Sequence, residues 1–277
     1  MRPVMRYHGG KWQLAPWIIS HFPEHRIYVE PFGGAASVLL RKPRSYAEVY
    51  NDLADNVVNV FRVLRDRTMA KELRDLLYLT PFSRTDFNDT YTSDATDPVE
   101  RARQTIYRSM AGFGSAAATR GYRTGFRSNS NRSGTTPAHD WAHYPEHIPA
   151  FVERLRGVII ENRNALEVMQ MHDTTETLHY CDPPYVHSTR TKVGWQKPYV
   201  HELTDDDHGR LAECIKGLSG MVIISGYDCG LYHDLFDDWR KDKKEARADG
   251  ARKRTEVLWL SPNIPETQGR LFAGGVR

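Results

Sequence analysis

Cysteine is scarce in this chain of 277 residues: it occurs three times, at Cys181, Cys214 and Cys229, with no paired spacing. So odd and sparse a count argues against a disulfide framework and for a reducing compartment. No apolar run approaches the roughly 20 residues that a membrane helix needs. The opening MRPVMRYHGG has no apolar stretch suited to a secretory signal, so a cytoplasmic protein with no membrane partner is expected. Strong net charge is missing as well. The balance of +3 does not by itself indicate a nucleic-acid partner, and the distribution along the chain decides. That distribution is uneven, because no carboxylate occurs from Gly114 to Pro137. The apolar share of 40% and the charged share of 26% are those of an ordinary globular protein.

Short β-rich runs alternate with helical patterns. RIYVEPF reads as a strand ending at a turn, and AEVY before Asn51 and Asp52 as a second. A helix fits Ala54 to Leu64, with Val57, Phe61 and Leu64 on one stripe. Further strands are expected at Val158–Asn162, Thr177–Cys181, Met221–Ser225 and Thr255–Ser261. A helix starting near Thr204 has Asp207 three residues on, a capping-box variant, and Leu211, Ile215 and Leu218 as its buried stripe. Strands alternating with helices give an α/β fold with a mostly parallel sheet covered on both faces. The rhythm breaks between about residues 65 and 157, where helical patterns follow one another. Residues 1–64 and 158–277 are therefore expected to form one core, and 65–157 an insertion.

YVEPFGGAASV combines a strand, a glycine turn and small residues able to open a helix. Gly33 and Gly34 allow the backbone to approach a ligand closely. Asp52 follows some twenty residues later at the end of the next strand, where α/β folds place an acid for ribose hydroxyls. The G-x-G-x-x-G spacing is missing, which disfavours a nicotinamide cofactor. YHGGK, Tyr7 to Lys11, also lacks the spacing of a phosphate loop.

The run HYCDPPYVHS puts Asp182 and Tyr185 on a stiff corner made by Pro183 and Pro184. Such a corner suits an exocyclic amine, whose lone pair is delocalised into its ring. Two fixed acceptors, Asp182 and the Pro183 carbonyl, would draw that nitrogen toward a tetrahedral, nucleophilic form, and Tyr185 offers a flat face for the base.

At these residues the chain resembles the Dam-type, or alpha-group, DNA adenine-N6 methyltransferases. The likeness extends over YHGGK, EPFGGAASV, YND, the acid-free segment, DPPY and the closing TEVLWL. It implies a Rossmann-like methyltransferase fold and S-adenosylmethionine as cofactor. Tyr7, His8, Gly9 and Lys11 would line the methionine end, Pro31, Phe32 and Gly33 the floor, and Asp52 would hold the ribose. Asp182 would serve both the cofactor's amino group and the target, with Asp182, Pro183, Pro184 and Tyr185 as the catalytic set. The family usually has tryptophan at Tyr7, and often an adenine-contacting acid where this chain has Asn164; asparagine still offers a donor and an acceptor. The resemblance further implies double-stranded DNA as partner, a flipped adenine as target, and a bacterial or phage setting near the nucleoid. A monomer is expected.

Within the acid-free segment Arg120, Arg123, Arg127 and Arg132 alternate with Tyr122 and Phe126, a composition suited to phosphate tracking and base reading. By resemblance it is the target-recognition hairpin. A second basic run, WRKDKKEARADGARKRT from Trp239, mixes acids with bases and reads as a solvated connection. His139, His143 and His147 have helical metal spacing, but Pro145 interrupts it and no metal is expected. Cys181 follows an apolar strand and reads as a buried thiol. Cytosine-N4 methylation, RNA adenine methylation and an inactive DNA-binding relative remain as alternatives.

Overall fold

The computed structural model describes residues 1–114, 123–131, 134–189, 201–247 and 253–266. Its strands are β1 (Ile27–Glu30), β2 (Ala47–Asn51), β3 (Val158–Glu161), β4 (Thr177–Cys181), β5 (Met221–Tyr227), β6 (Arg240–Arg247) and β7 (Lys253–Leu260). Its helices are α1 (Ala15–Ile19), α2 (Asp55–Arg65), α3 (Arg67–Leu79), α4 (Arg84–Asp89), α5 (Pro98–Ala111), α6 (Pro137–Ala142), α7 (Ile148–Leu155), α8 (Ala165–Met171), α9 (Asp205–Lys216) and α10 (Gly230–Leu235). The strands form one sheet in the order β3-β2-β1-β4-β5-β7-β6. The first five are parallel, and β7 runs antiparallel to both β5 and β6. This is the mostly parallel sheet that the strand–helix rhythm implies, in the Rossmann-like form that the resemblance implies.

The central strands are buried on both faces: all five residues of β4 are buried, as are six of the seven in β5. Such strands are stable only with helices on each side. The chain steps outward from β1 to β2 to β3, then returns to place β4 on the other side of β1, with Ile27 opposite both Ala47 and Thr177. Winding reverses between β1 and β4, and a crevice opens beyond their carboxyl ends.

Helices α3 to α7 lie between β2 and β3 in the chain. Their apolar residues Leu77, Phe87, Ile106, Trp141 and Phe151 belong to the same buried cluster as Tyr28, Tyr50 and Phe61. The inserted helices therefore brace the sheet through α2 and have no separate core. Local signals set their ends: Asp97 caps α5 by accepting from Glu100 N at 2.8 Å, with Pro98 at the first helical position. Thr204 and Asp207 form the expected reciprocal cap of α9.

Two expectations need correction. No helix follows the glycine turn; residues 34–42 form irregular turns, with Gly34 and Ala36 at φ of 48° and 52°. One cause is visible: the Leu39 N–H donates to the Glu30 carboxylate at 2.9 Å instead of to a carbonyl one helical turn back. In the basic run after Trp239, Arg240–Arg247 are not a solvated connection but strand β6, paired along its length with β7. Its polar composition fits an edge strand, where charge opposes pairing with another chain.

Candidate active site

The glycine turn and the proline corner open onto one cleft of about 850 Å³ at the carboxyl ends of β1 and β4. Tyr7, His8, Gly9, Lys11, Pro31, Phe32, Gly33, Asp52, Asp182 and Pro184 all line it. At the turn, the Asp52 carboxylate accepts from Gly34 N and from Ala54 N, each at 2.8 Å. It thereby ties the turn to the start of α2. Burial raises its pKa, and those backbone donors oppose the rise. Gly33 is required sterically, since a Cβ there would lie 2.2 Å from the ring of Tyr50, which is fully buried. Tyr50 in turn donates its hydroxyl to the Gly34 carbonyl at 2.7 Å.

Deeper in the cleft lies Glu30, whose carboxylate accepts from Tyr28 Oη at 2.7 Å and from Leu39 N. Burial pushes its pKa up to about 8, against the pull of those two donors. A carboxyl so placed welcomes a cationic ligand, which would supply the charge compensation that water no longer gives.

The corner joins four separate parts of the chain. Lys11 Nζ lies 2.8 Å from Asp182 Oδ1, 3.5 Å from Glu256 Oε1 and 2.9 Å from the Gly9 carbonyl. Ser225 Oγ, at the end of β5, donates to the same Asp182 Oδ1 at 2.8 Å. Glu256 on β7 accepts a hydrogen bond from the Tyr185 hydroxyl. Burial raises the pKa of Glu256, and Lys11 opposes the rise. The Tyr185 ring is 8% exposed, packs edge-on against Tyr227 with centroids 4.6 Å apart, and has the Lys11 ammonium 4.7 Å from its centroid. Cys181 lies buried against Met169, and burial drives its thiol pKa far up, so it is no nucleophile.

Several site residues escaped the reading of the sequence. Asn51 is fully buried and laces three strand ends together, donating to the Pro31 and Arg163 carbonyls and accepting from Arg163 N. Ser225, Tyr227 and Glu256 reach the corner from β5 and β7, and His201 and Leu203 line the cleft from the segment before α9. The one available signal was the position of Ser225 and Tyr227 at the carboxyl end of a central strand. Asn164, by contrast, is not brought into the cleft. It caps α8, its Oδ1 accepting from Leu166 N at 2.9 Å, and the neighbouring Ala165 lines the wall. Pro183 is buried, and Pro184 beside it lines the cleft.

Of the acid-free segment, Arg120, Tyr122 and Arg132 lie outside the described residues. Gly112 and Phe126 form an antiparallel bridge at its root. Phe126 packs on Phe82 and Phe87, at centroid distances of 4.9 and 5.6 Å, with the Arg84 guanidinium 5.0 Å above its ring. Arg127 donates to the Met110 carbonyl at 2.8 Å. Arg123 is exposed, and Phe113 beside the bridge is 74% exposed.

Comparison with known proteins agrees with this geometry. Residues 7–255 match the model of the D12 class N6 adenine-specific DNA methyltransferases. The chain is 27% identical over 290 residues to the Type II methyltransferase M1.LlaDCHI of Lactococcus lactis subsp. cremoris, covering 93% of this chain and 94% of that one. It is 24% identical over 280 residues to the DNA adenine methylase of Escherichia coli (strain K12), with the same coverage. Against the DNA adenine methylase of Serratia marcescens it is 24% identical over 253 residues, covering 85% and 87%.

Proposed function

The chain belongs to the D12 class N6 adenine-specific DNA methyltransferases, and from that premise we propose which of its residues perform each part of the reaction. The family acts on adenine in DNA, which sets the cytosine-N4 and RNA alternatives aside. Methyltransferases in general take S-adenosylmethionine as donor, and the donor groups of the cleft suit it. One end has Asp52 for a ribose diol; the other has Glu30 and Asp182, carboxyls for a cationic amino acid end. Tyr7, His8, Gly9 and Lys11 line the methionine end, Pro31, Phe32 and Gly33 form the floor, and Asp52 holds the ribose hydroxyls. S-adenosylmethionine, when bound, supplies an electrophilic methyl on a sulfonium.

The protein's share is to make the adenine amine nucleophilic and to keep it in line. Asp182 is held at Oδ1 by Lys11 and Ser225, which leaves Oδ2 to accept a hydrogen of the amine. The Pro183 carbonyl accepts the other. Fixed acceptors of this kind stabilise positive charge that grows on the nitrogen only in the transition state. Proton loss follows transfer, so Asp182 has no need to be a strong base. Tyr185 acts as a fixed wall for the base, which must leave the duplex to reach the corner.

Residues 65–157 serve DNA recognition in this reading. Arg120, Tyr122, Arg123, Arg127 and Arg132 contact the duplex, and exposed Phe113 suits stacking on a base. Phe126, packed as it is, anchors the segment. No helix among the described residues is long and apolar enough to cross a membrane. The protein acts in the cytoplasm, at the nucleoid, as a monomer.

The observation that carries this reading is the opening of glycine turn and proline corner onto one cleft. Asp182→Ala tests it, with transfer of labelled methyl to duplex DNA as the assay. The rate should fall by at least about 10²-fold while DNA affinity changes little. An unchanged rate would overturn the assignment of Asp182.

A further inference from the structure

Among the described residues Lys11 lies beside two carboxylates, and one of them, Glu256, is outside the proline corner. Its ammonium is 2.8 Å from Asp182 Oδ1 and 3.5 Å from Glu256 Oε1. Glu256 stands on β7 opposite Tyr227 of β5 and is 3% exposed. Its Oε1, the atom nearest Lys11, also accepts from the Tyr185 hydroxyl. One buried carboxylate thus touches both groups that flank Asp182: the cation at Oδ1, and the aromatic wall three residues further along the chain.

The location has a chemical consequence. A lysine ammonium has three donors on a flexible stem, and an amine target competes with it for the same acceptor. If Asp182 were its one anionic partner, the ammonium could swing across both carboxylate oxygens and take the lone pairs that the adenine amine needs. A second anion on the far side holds it back on Oδ1. Burying that second anion costs several kcal/mol unless its charge is met. Packing alone would be served as well by a neutral residue of similar size.

We propose that Glu256 is a positioning residue for methyl transfer. It restrains Lys11 on one oxygen of Asp182 and fixes the Tyr185 ring through its hydroxyl, so that Asp182 Oδ2 stays available to the target amine. Glu256 itself touches neither donor nor base. The inference rests on the reading of Asp182 as the acceptor.

The test compares Glu256→Gln, Glu256→Asp and Tyr185→Phe with Asp182→Ala, in single-turnover methylation and in separate binding measurements. Glu256→Gln keeps the size but removes the charge. Its methyl-transfer rate should fall roughly tenfold or more while cofactor and DNA dissociation constants stay within about twofold. Glu256→Asp should recover part of the rate. Tyr185→Phe breaks the same contact from the other side, remains informative if the Glu256 variants fold poorly, and should lower the rate about threefold or more. A normal rate in Glu256→Gln beside an inactive Asp182→Ala overturns this inference alone. So does a rate loss matched by equal losses in both affinities, the mark of a purely structural role. An active Asp182→Ala removes the acceptor itself, and the inference goes with it.

Discussion

The cleft and the root of the basic segment handle charge in opposite ways. In the cleft, Lys11, Asp182, Glu256, Tyr185 and Ser225 are bonded to one another, and Asp52 is bonded to the backbone. At the root of the basic segment, among the described residues, Phe126 is packed against other rings while Arg123 stands in solvent. Groups that must meet charge developing in a transition state gain from being fixed beforehand. Groups that follow a phosphate backbone displace counterions instead, and for that they need to remain solvated until DNA arrives.

The contrast can be broken first at Gly33. Gly33→Ala would drive a methyl into the buried Tyr50 ring at the base of the turn. Overpacking of this kind costs about 1–3 kcal/mol, and cofactor affinity measured by calorimetry should fall by roughly tenfold to a hundredfold. Unaltered affinity would mean that the cofactor does not sit on this turn.

Glu30 supplies a second test through pH. Its folded pKa of about 8 exceeds the ordinary 4.5, so the folded protein keeps a proton that the unfolded chain releases. The resulting stability is complete below about pH 4.5 and disappears as pH rises through about 8. Thermal melts of the cofactor-free protein should show Tm falling between about pH 4.5 and about pH 8, and Glu30→Gln should flatten that fall. Parallel profiles for the two proteins would place the titration elsewhere.

The smallest expected effect belongs to the solvated side. Arg123→Ala should weaken DNA binding a few-fold and reduce the slope of log affinity against log salt by about 1, with Tm unchanged. Phe126→Ala should do the reverse, lowering Tm by removing a ring from the Phe82 and Phe87 cluster. A Phe126→Ala protein of normal Tm and impaired DNA binding would move that ring from anchor to reader.

What was legible in the sequence was local. Prolines fix the corner, the glycine pair needs its turn, and Thr204 with Asp207 announces α9; each signal is complete within a few residues. The mostly parallel sheet followed from the strand–helix rhythm, whereas the adjacency of β1 and β4 shows in the pairing itself. What was not legible depends on pairing between distant residues. Strand β6 carries no apolar alternation and is a strand because β7 lies beside it. Lys11 read as a cofactor contact, since its partners Asp182 and Glu256 lie far along the chain. Asn164 was placed by resemblance in the cleft, yet the helix it caps claims its side chain. The irregular turns after Gly34 follow from a carboxylate that competes with the backbone for one N–H, which no propensity scale records.

The sheet order also dictates when activity can begin. Strand β7 is synthesised after β6 yet inserts between it and β5, carrying Glu256 into place as it does so. In a growing chain the residues that line the cleft and those of the basic segment are all synthesised before Glu256. Proteolysis just ahead of Lys253 would remove a strand whose Val257, Leu258 and Trp259 are fully buried, so the packing against β5 would be lost together with Glu256.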